Sequence, residues 1–140
     1  MVTLLFATPA RSDYVPEPSP LTLVGQPVAA LAAHPDVSIG FRSVVRGRQT
    51  YILRHLHAAD PGSLRAARNR YIFGWTCDGG DCAEAGLFLG YDSKTERFYL
   101  LLLDEGVASL TVPTRGAPWP APLAEAVLAV KPDLRSFRSE

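Results

Sequence analysis

Apolar and polar positions along this chain break into short runs separated by turn residues, a pattern that predicts a small domain of strands and helices. Val37 to Val45 and Gln49 to His57 read as two strands joined at Arg46-Gly47-Arg48, a hairpin turn. Asp60-Pro61-Gly62 is a second turn signal, and Arg68 to Thr76 a strand rich in aromatic residues. Gly86 to Tyr91 and Arg97 to Leu103 form the clearest hairpin, with Asp92 to Glu96 as its polar turn. Phe98 through Leu103 is apolar at every position, which predicts a strand covered on both faces and central in the sheet. Ala108 to Val112 adds an edge strand. Helical signals flank these strands. Gln26 to His34 has helix formers, proline near its first turn and a stop at Pro35. Leu123 to Val130 places Leu123, Val127 and Val130 on one face and ends at Lys131-Pro132. The expected class is α+β, an antiparallel sheet flanked by helices. Residues 1–22 read as an apolar N-terminal segment and Pro-rich linker, and residues 23–140 as a single domain with no internal repeat.

Composition narrows the function more by exclusion than by assertion. A length of 140 residues with 47% hydrophobic content suffices for one ordinary core. Formal net charge is zero and the pI is about 6.8, so the whole molecule announces neither a nucleic-acid nor a membrane partner. The distribution is less even. From Arg42 to Arg70 seven arginines stand against the single acid Asp60, a formal +6, whereas from Asp78 to Glu105 seven acids face only Lys94 and Arg97, a formal −5. Solvated faces account for such patterning, and an acidic face that attracts a cationic protein accounts for it too. No run approaches the roughly 18 apolar residues that span a bilayer. Met1 to Ala10 is apolar and ends in small residues but lacks a basic start, so it reads either as a signal-peptide remnant or as a loosely paired terminal segment.

The densest information lies in Cys77-Asp78-Gly79-Gly80-Asp81-Cys82, which holds both cysteines and the one Gly-Gly pair. The spacing is not the C-x-x-C of a redox centre, and no second Cys/His pair completes a zinc site, so a disulfide is favoured over free thiols. A disulfide in turn favours an oxidising compartment such as the periplasm. Closing so short a loop contributes on the order of 2 kcal/mol through chain entropy, so the ring controls shape more than stability. Two glycines leave its rim free of bulk. Three readings stay open: a turn fixed between strands, a wedge for a partner's cleft, or a metal site built from Asp78 and Asp81, for which two carboxylates are a weak signature.

The stretch from Asn69 to Gly106, with its aromatic strand, ring of six, Ala-led apolar segment, polar turn and further apolar strand, resembles the core of the inhibitor of vertebrate lysozyme family, most closely over Tyr71 to Asp92. Members of that family carry C-K-P-H-D-C at the ring, and their late apolar helix has a counterpart near Leu123 to Val130. The resemblance implies an antiparallel sheet packed against helices, with a disulfide-closed loop projecting into the lysozyme cleft, where its His and Asp engage the catalytic carboxylates. This sequence keeps Cys77, Cys82 and Asp81 but has Asp78 for Lys and Gly79-Gly80 for Pro-His. Gly80 brings only backbone where a histidine would donate to two carboxylates, and Asp78 adds like charge.

Other chemistry is thinly supported. His55 and His57, two apart on an expected strand, would face one way and could share a metal, but no third ligand is identifiable. No G-x-S-x-G or phosphate-binding glycine loop occurs, and nothing fixes the separation of Glu84, Glu96, Asp104 and Glu105 as a hydrolytic pair. Trp75 and Trp119 read as packing residues before a sugar platform. The expected function is therefore non-catalytic and cofactor-free: a periplasmic inhibitor or immunity-type protein whose ring, braced by Trp75, blocks a lysozyme-like or other cell-wall-degrading enzyme. The alternative is an anion- or nucleic-acid-binding module using Arg42, Arg46, Arg48 and Arg54 on the arginine-rich hairpin, with Tyr51 and Tyr71 for stacking. Homo-oligomerisation is left open.

Overall fold

The computed structural model describes residues 18–57, 62–77, 80–114 and 116–134. A single 3-10 turn, Pro20–Leu23, leads into three helices, α1 (Val28–Ala33), α2 (Pro35–Val44) and α3 (Gln49–Leu56). Five strands follow, β1 (Arg65–Ala67), β2 (Tyr71–Cys77), β3 (Gly86–Asp92), β4 (Arg97–Asp104) and β5 (Val107–Val112), then α4 (Ala121–Val130). The strands form one antiparallel meander in the order β1-β2-β3-β4-β5, so the class is α+β as the sequence predicts.

The segments expected to pair as strands over Val37–Val45 and Gln49–His57 are helices instead. Their alternating apolar residues misled because two of them are surface residues. Val37 and Phe41, four apart, are 0% and 5% exposed, while Ile39 between them is 75% exposed. Ile52 is likewise buried and Leu53 half-exposed. A helix separates residues two apart by about 200°, whereas a strand would have put Ile39 beside its neighbours. The start of α2 is specified locally. Pro35 occupies the first turn, and the His34 ring accepts from the Asp36 amide through Nδ1 at 3.1 Å while its Nε2 donates to the Pro18 carbonyl at 2.7 Å. Pro35 thus ends one helix by beginning the next. Arg46-Gly47-Arg48 is accordingly a helix-to-helix link, with Gly47 at φ +85°.

The strand expected from Arg68 starts later because Arg68 and Asn69 take φ of +55° and +50°. That places them at the centre of a tight hairpin turn, closed by the Arg70 amide on the Ala67 carbonyl at 3.1 Å, which pairs the short β1 with β2. The β3–β4 hairpin and edge strand β5 lie where the sequence puts them. β4 is interior and buried from Tyr99 to Leu103, though β3, buried along its whole length, is the middle strand. Each face of the sheet has its own core. Ile72, Leu87, Leu89, Leu100 and Leu102 pack under α1, α2 and α3, and Phe73, Phe88, Tyr99 and Leu101 pack under α4 and Trp119. Full burial of one such side chain contributes about 1.5–3 kcal/mol, so the two layers lock the sheet from both sides.

Candidate functional site

The ring grows out of the sheet at the β2–β3 connection. Cys77 closes β2 opposite Gly86 and is disulfide-bonded to Cys82, the two Cα atoms 4.7 Å apart, within the ordinary span for such a bond. Asp81 organises the returning half of the loop. Its Oδ1 accepts from the Ala83 amide at 3.1 Å, and its carbonyl accepts from the Glu84 and Ala85 amides at 3.3 and 3.0 Å. This turn, of the kind aspartate favours, leaves Oδ2 without a partner among the described residues. Asp78 and Gly79 lie outside the described residues. Gly80 is exposed at φ +84°, a conformation that a side chain would strain although a Cβ there would have open space around it.

Three contacts hold the ring against the domain. Gly86 lies so close that a Cβ there would sit 2.6 Å from the Cys82 carbonyl oxygen. The Gly106 amide, in the β4–β5 turn, donates to the Glu84 carbonyl at 2.9 Å. Trp75, two residues before Cys77, donates its indole N–H to the Ala126 carbonyl of α4 at 3.1 Å and meets Phe88 edge-on at 5.4 Å. The loop is therefore anchored by β3, by the β4–β5 turn and by α4. Sequence reasoning named both cysteines, Gly80, Asp81 and Trp75. It did not connect Gly86, read only as a strand start, Glu84, read only as a candidate acid, or Gly106 to the ring, because their contacts cross from one strand connection to another and leave no local signal.

The arginine face is not assembled as a hairpin. Arg42 lies on α2 with Nε donating to its own Ser38 carbonyl at 3.3 Å, Arg46 sits in the link, and Arg54 is on α3. Arg48, the residue before α3, reaches the Ser109 carbonyl on β5 at 3.1 Å. All four are exposed, but on two helices and their link rather than along one strand face. Tyr71 is buried in the core, with the Arg70 guanidinium carbon 4.8 Å from its ring centroid. His55 is buried against Tyr51 with ring centroids 4.9 Å apart, and His57 is exposed past the end of α3, so they share no face. Among the described residues no three metal-ligating side chains converge. Glu96 occupies the turn at the opposite end of the sheet from Glu84, Asp104 and Glu105, so the four acids form no single cluster. Trp119 is fully buried, its ring tilted against Tyr99 at 5.2 Å and Phe88 at 5.8 Å between centroids, which removes it as a sugar platform.

The perturbed titrations also lie away from the ring. At the far end of β3 the Arg70 guanidinium holds the Asp92 carboxyl down at about 2, and burial pushes the neighbouring Tyr91 phenol up. The feature that separates the ring from the rest of the surface is thus its shape: a tethered loop with a glycine at its open rim.

A family model described as inhibitor of vertebrate lysozyme matches residues 38–132, from α2 through the whole sheet and ring to the end of α4. Comparison with curated proteins and with solved structures finds no match to either. With some two-thirds of its length under that match, ring included, the chain belongs to the inhibitor of vertebrate lysozyme family.

Proposed function

We propose that this protein is an exported, non-catalytic inhibitor that inserts its Cys77–Cys82 ring into the cleft of a lysozyme-like, cell-wall-degrading enzyme. The observation that carries the reading is the contrast between the ring's base and its rim. The base is fixed by a disulfide, by the Asp81 turn and by the Glu84 carbonyl, while a Cβ added at exposed Gly80 would meet no other described residue within 4 Å beyond its chain neighbours. A preformed loop loses little conformational freedom on docking, so more of its contact energy appears as affinity. Asp78 and Asp81 are the side chains that meet the enzyme, Gly79 and Gly80 permit close backbone approach, and Trp75 keeps the loop aimed by its bond to α4.

The disulfide supports export, because such bonds persist in oxidising compartments such as the periplasm. Among the described residues no helix is long and apolar enough to cross a membrane. The test is inhibition of a panel of animal, phage and bacterial lysozymes by the oxidised protein, beside the Cys77→Ser/Cys82→Ser variant. The oxidised form is expected to inhibit at least one member and the variant to lose that inhibition. Equal inhibition by both would refute the wedge, and inhibition of none would refute the inhibitor reading.

A further inference from the structure

Beside the ring lies a groove of about 260 Å³ lined by Ser63, Arg65, Phe73, Trp75 and both cysteines of the disulfide. Arg65 stands on edge strand β1 directly opposite Phe73, exposed, with its guanidinium carbon 5.6 Å from the Phe73 ring centroid. The ion pairs among the described residues, Arg70–Asp92 and Lys131–Asp133, do not include it. A guanidinium resting on an aromatic ring is held in place by that contact while its donor fork stays available for a planar anion.

The ring needs such a neighbour. Its own charged groups are the carboxylates of Asp78 and Asp81, and Gly80 adds no donor side chain. A lysozyme-type glycosidase works with two carboxyl groups flanking the scissile bond, so an acidic ring entering that cleft meets charge of its own sign. We infer that the groove is a carboxylate subsite in which Arg65 pairs with an active-site carboxylate of the inhibited enzyme. This rests on the inhibitor reading of the ring and assigns the cation that the ring itself lacks.

The experiment follows association and dissociation of the full chain with a lysozyme that it inhibits, comparing the unsubstituted protein with Arg65→Glu, Arg65→Gln and Arg65→Lys. Arg65→Glu is expected to dissociate about 10- to 100-fold faster, Arg65→Lys to fall between it and the parent, and association not to slow, because a close charge pair acts chiefly on dissociation. The same series is then run against enzyme variants in which each catalytic carboxyl is replaced by its amide. Against one of them the effect of Arg65→Gln is expected to vanish. Unchanged dissociation for Arg65→Glu, or an undiminished effect of Arg65→Gln against both amide variants, overturns the subsite while leaving the ring reading standing, provided that Cys77→Ser/Cys82→Ser still abolishes inhibition. If the unsubstituted protein inhibits no lysozyme of the panel, both fall. Arg65 is exposed, so its variants should melt with the parent; should Arg65→Glu melt early, Arg65→Gln carries the comparison.

Discussion

Four hydrogen bonds converge on the buried carboxylate of Asp92: two from Arg70 at 2.7 Å each, one from the Lys94 amide at 3.0 Å and one from the Thr95 hydroxyl at 2.9 Å. The Arg70 bond dominates and lowers the carboxyl from 3.8 to about 2. A folded-state pKa below the unfolded one adds stability that is fully present above the unfolded value and is lost as pH falls through the folded value. The contribution is on the order of 2 kcal/mol. The melting temperature is therefore expected to hold from pH 7 to about 5 and then fall toward pH 2, and Asp92→Asn to flatten part of that fall while costing about 2 kcal/mol at neutral pH, since the carboxylate that Arg70 binds through both oxygens is lost. Calorimetry across pH checks this, and parallel profiles for parent and variant would contradict it. At the ring, glycine matters for two different reasons. Gly86→Ala drives a methyl into the Cys82 backbone and is expected to cost about 1–3 kcal/mol and weaken inhibition, because the loop must shift. Gly80→Ala meets no atom and strains only its own φ of +84°, at about 1 kcal/mol. Urea titrations of both variants beside inhibition assays separate the two effects.

Elements were legible in the sequence wherever one face or both were buried by neighbours close in the chain. The β3–β4 hairpin, β5 and α4 fall within a residue or two of their apolar runs, and the ring stood out through its cysteines and glycines. What failed was the region where helix and strand patterns overlap. Val37, Ile39 and Phe41 alternate like a strand, and only the packing of α2 against β4 decides that Ile39 faces water. This yields a direct discrimination. If α2 is a helix, Ile39→Lys should change stability by less than about 0.5 kcal/mol while Phe41→Ala costs about 3–5 kcal/mol. In the strand reading the two residues would share a face and both substitutions would be costly, so chemical denaturation of the pair settles the element. The site was half legible for the same reason. Cys77, Asp81 and Cys82 form a local motif, whereas Arg65 joins the ring only because a turn at Arg68-Asn69 folds β1 back onto β2.

At the scale of the molecule the meander decides which charges share one end of the sheet with the ring. The ring leaves the sheet at the same end as the β4–β5 turn, and the Gly106 amide on the Glu84 carbonyl ties the two connections together. Asp81, Glu84, Asp104 and Glu105, scattered in sequence, thus gather at that end although the formal net charge is zero. On the inhibitor reading such a patch would act at long range on a cationic enzyme, while the Arg65 contact proposed above would act only after docking, so the two charges of opposite sign would do different work. Screening separates them, since exposed charges lose their reach beyond about 10 Å at 0.1 M salt. Raising salt from about 0.05 to about 0.5 M is expected to slow association roughly tenfold and leave dissociation nearly unchanged. Reversing Glu84 and Glu105 to lysine should flatten that salt dependence, whereas Arg65→Glu should not, because it makes the end more acidic. Stopped-flow association across a salt series checks the difference, and a slope indifferent to the Glu84→Lys/Glu105→Lys reversal would show that capture depends on shape alone.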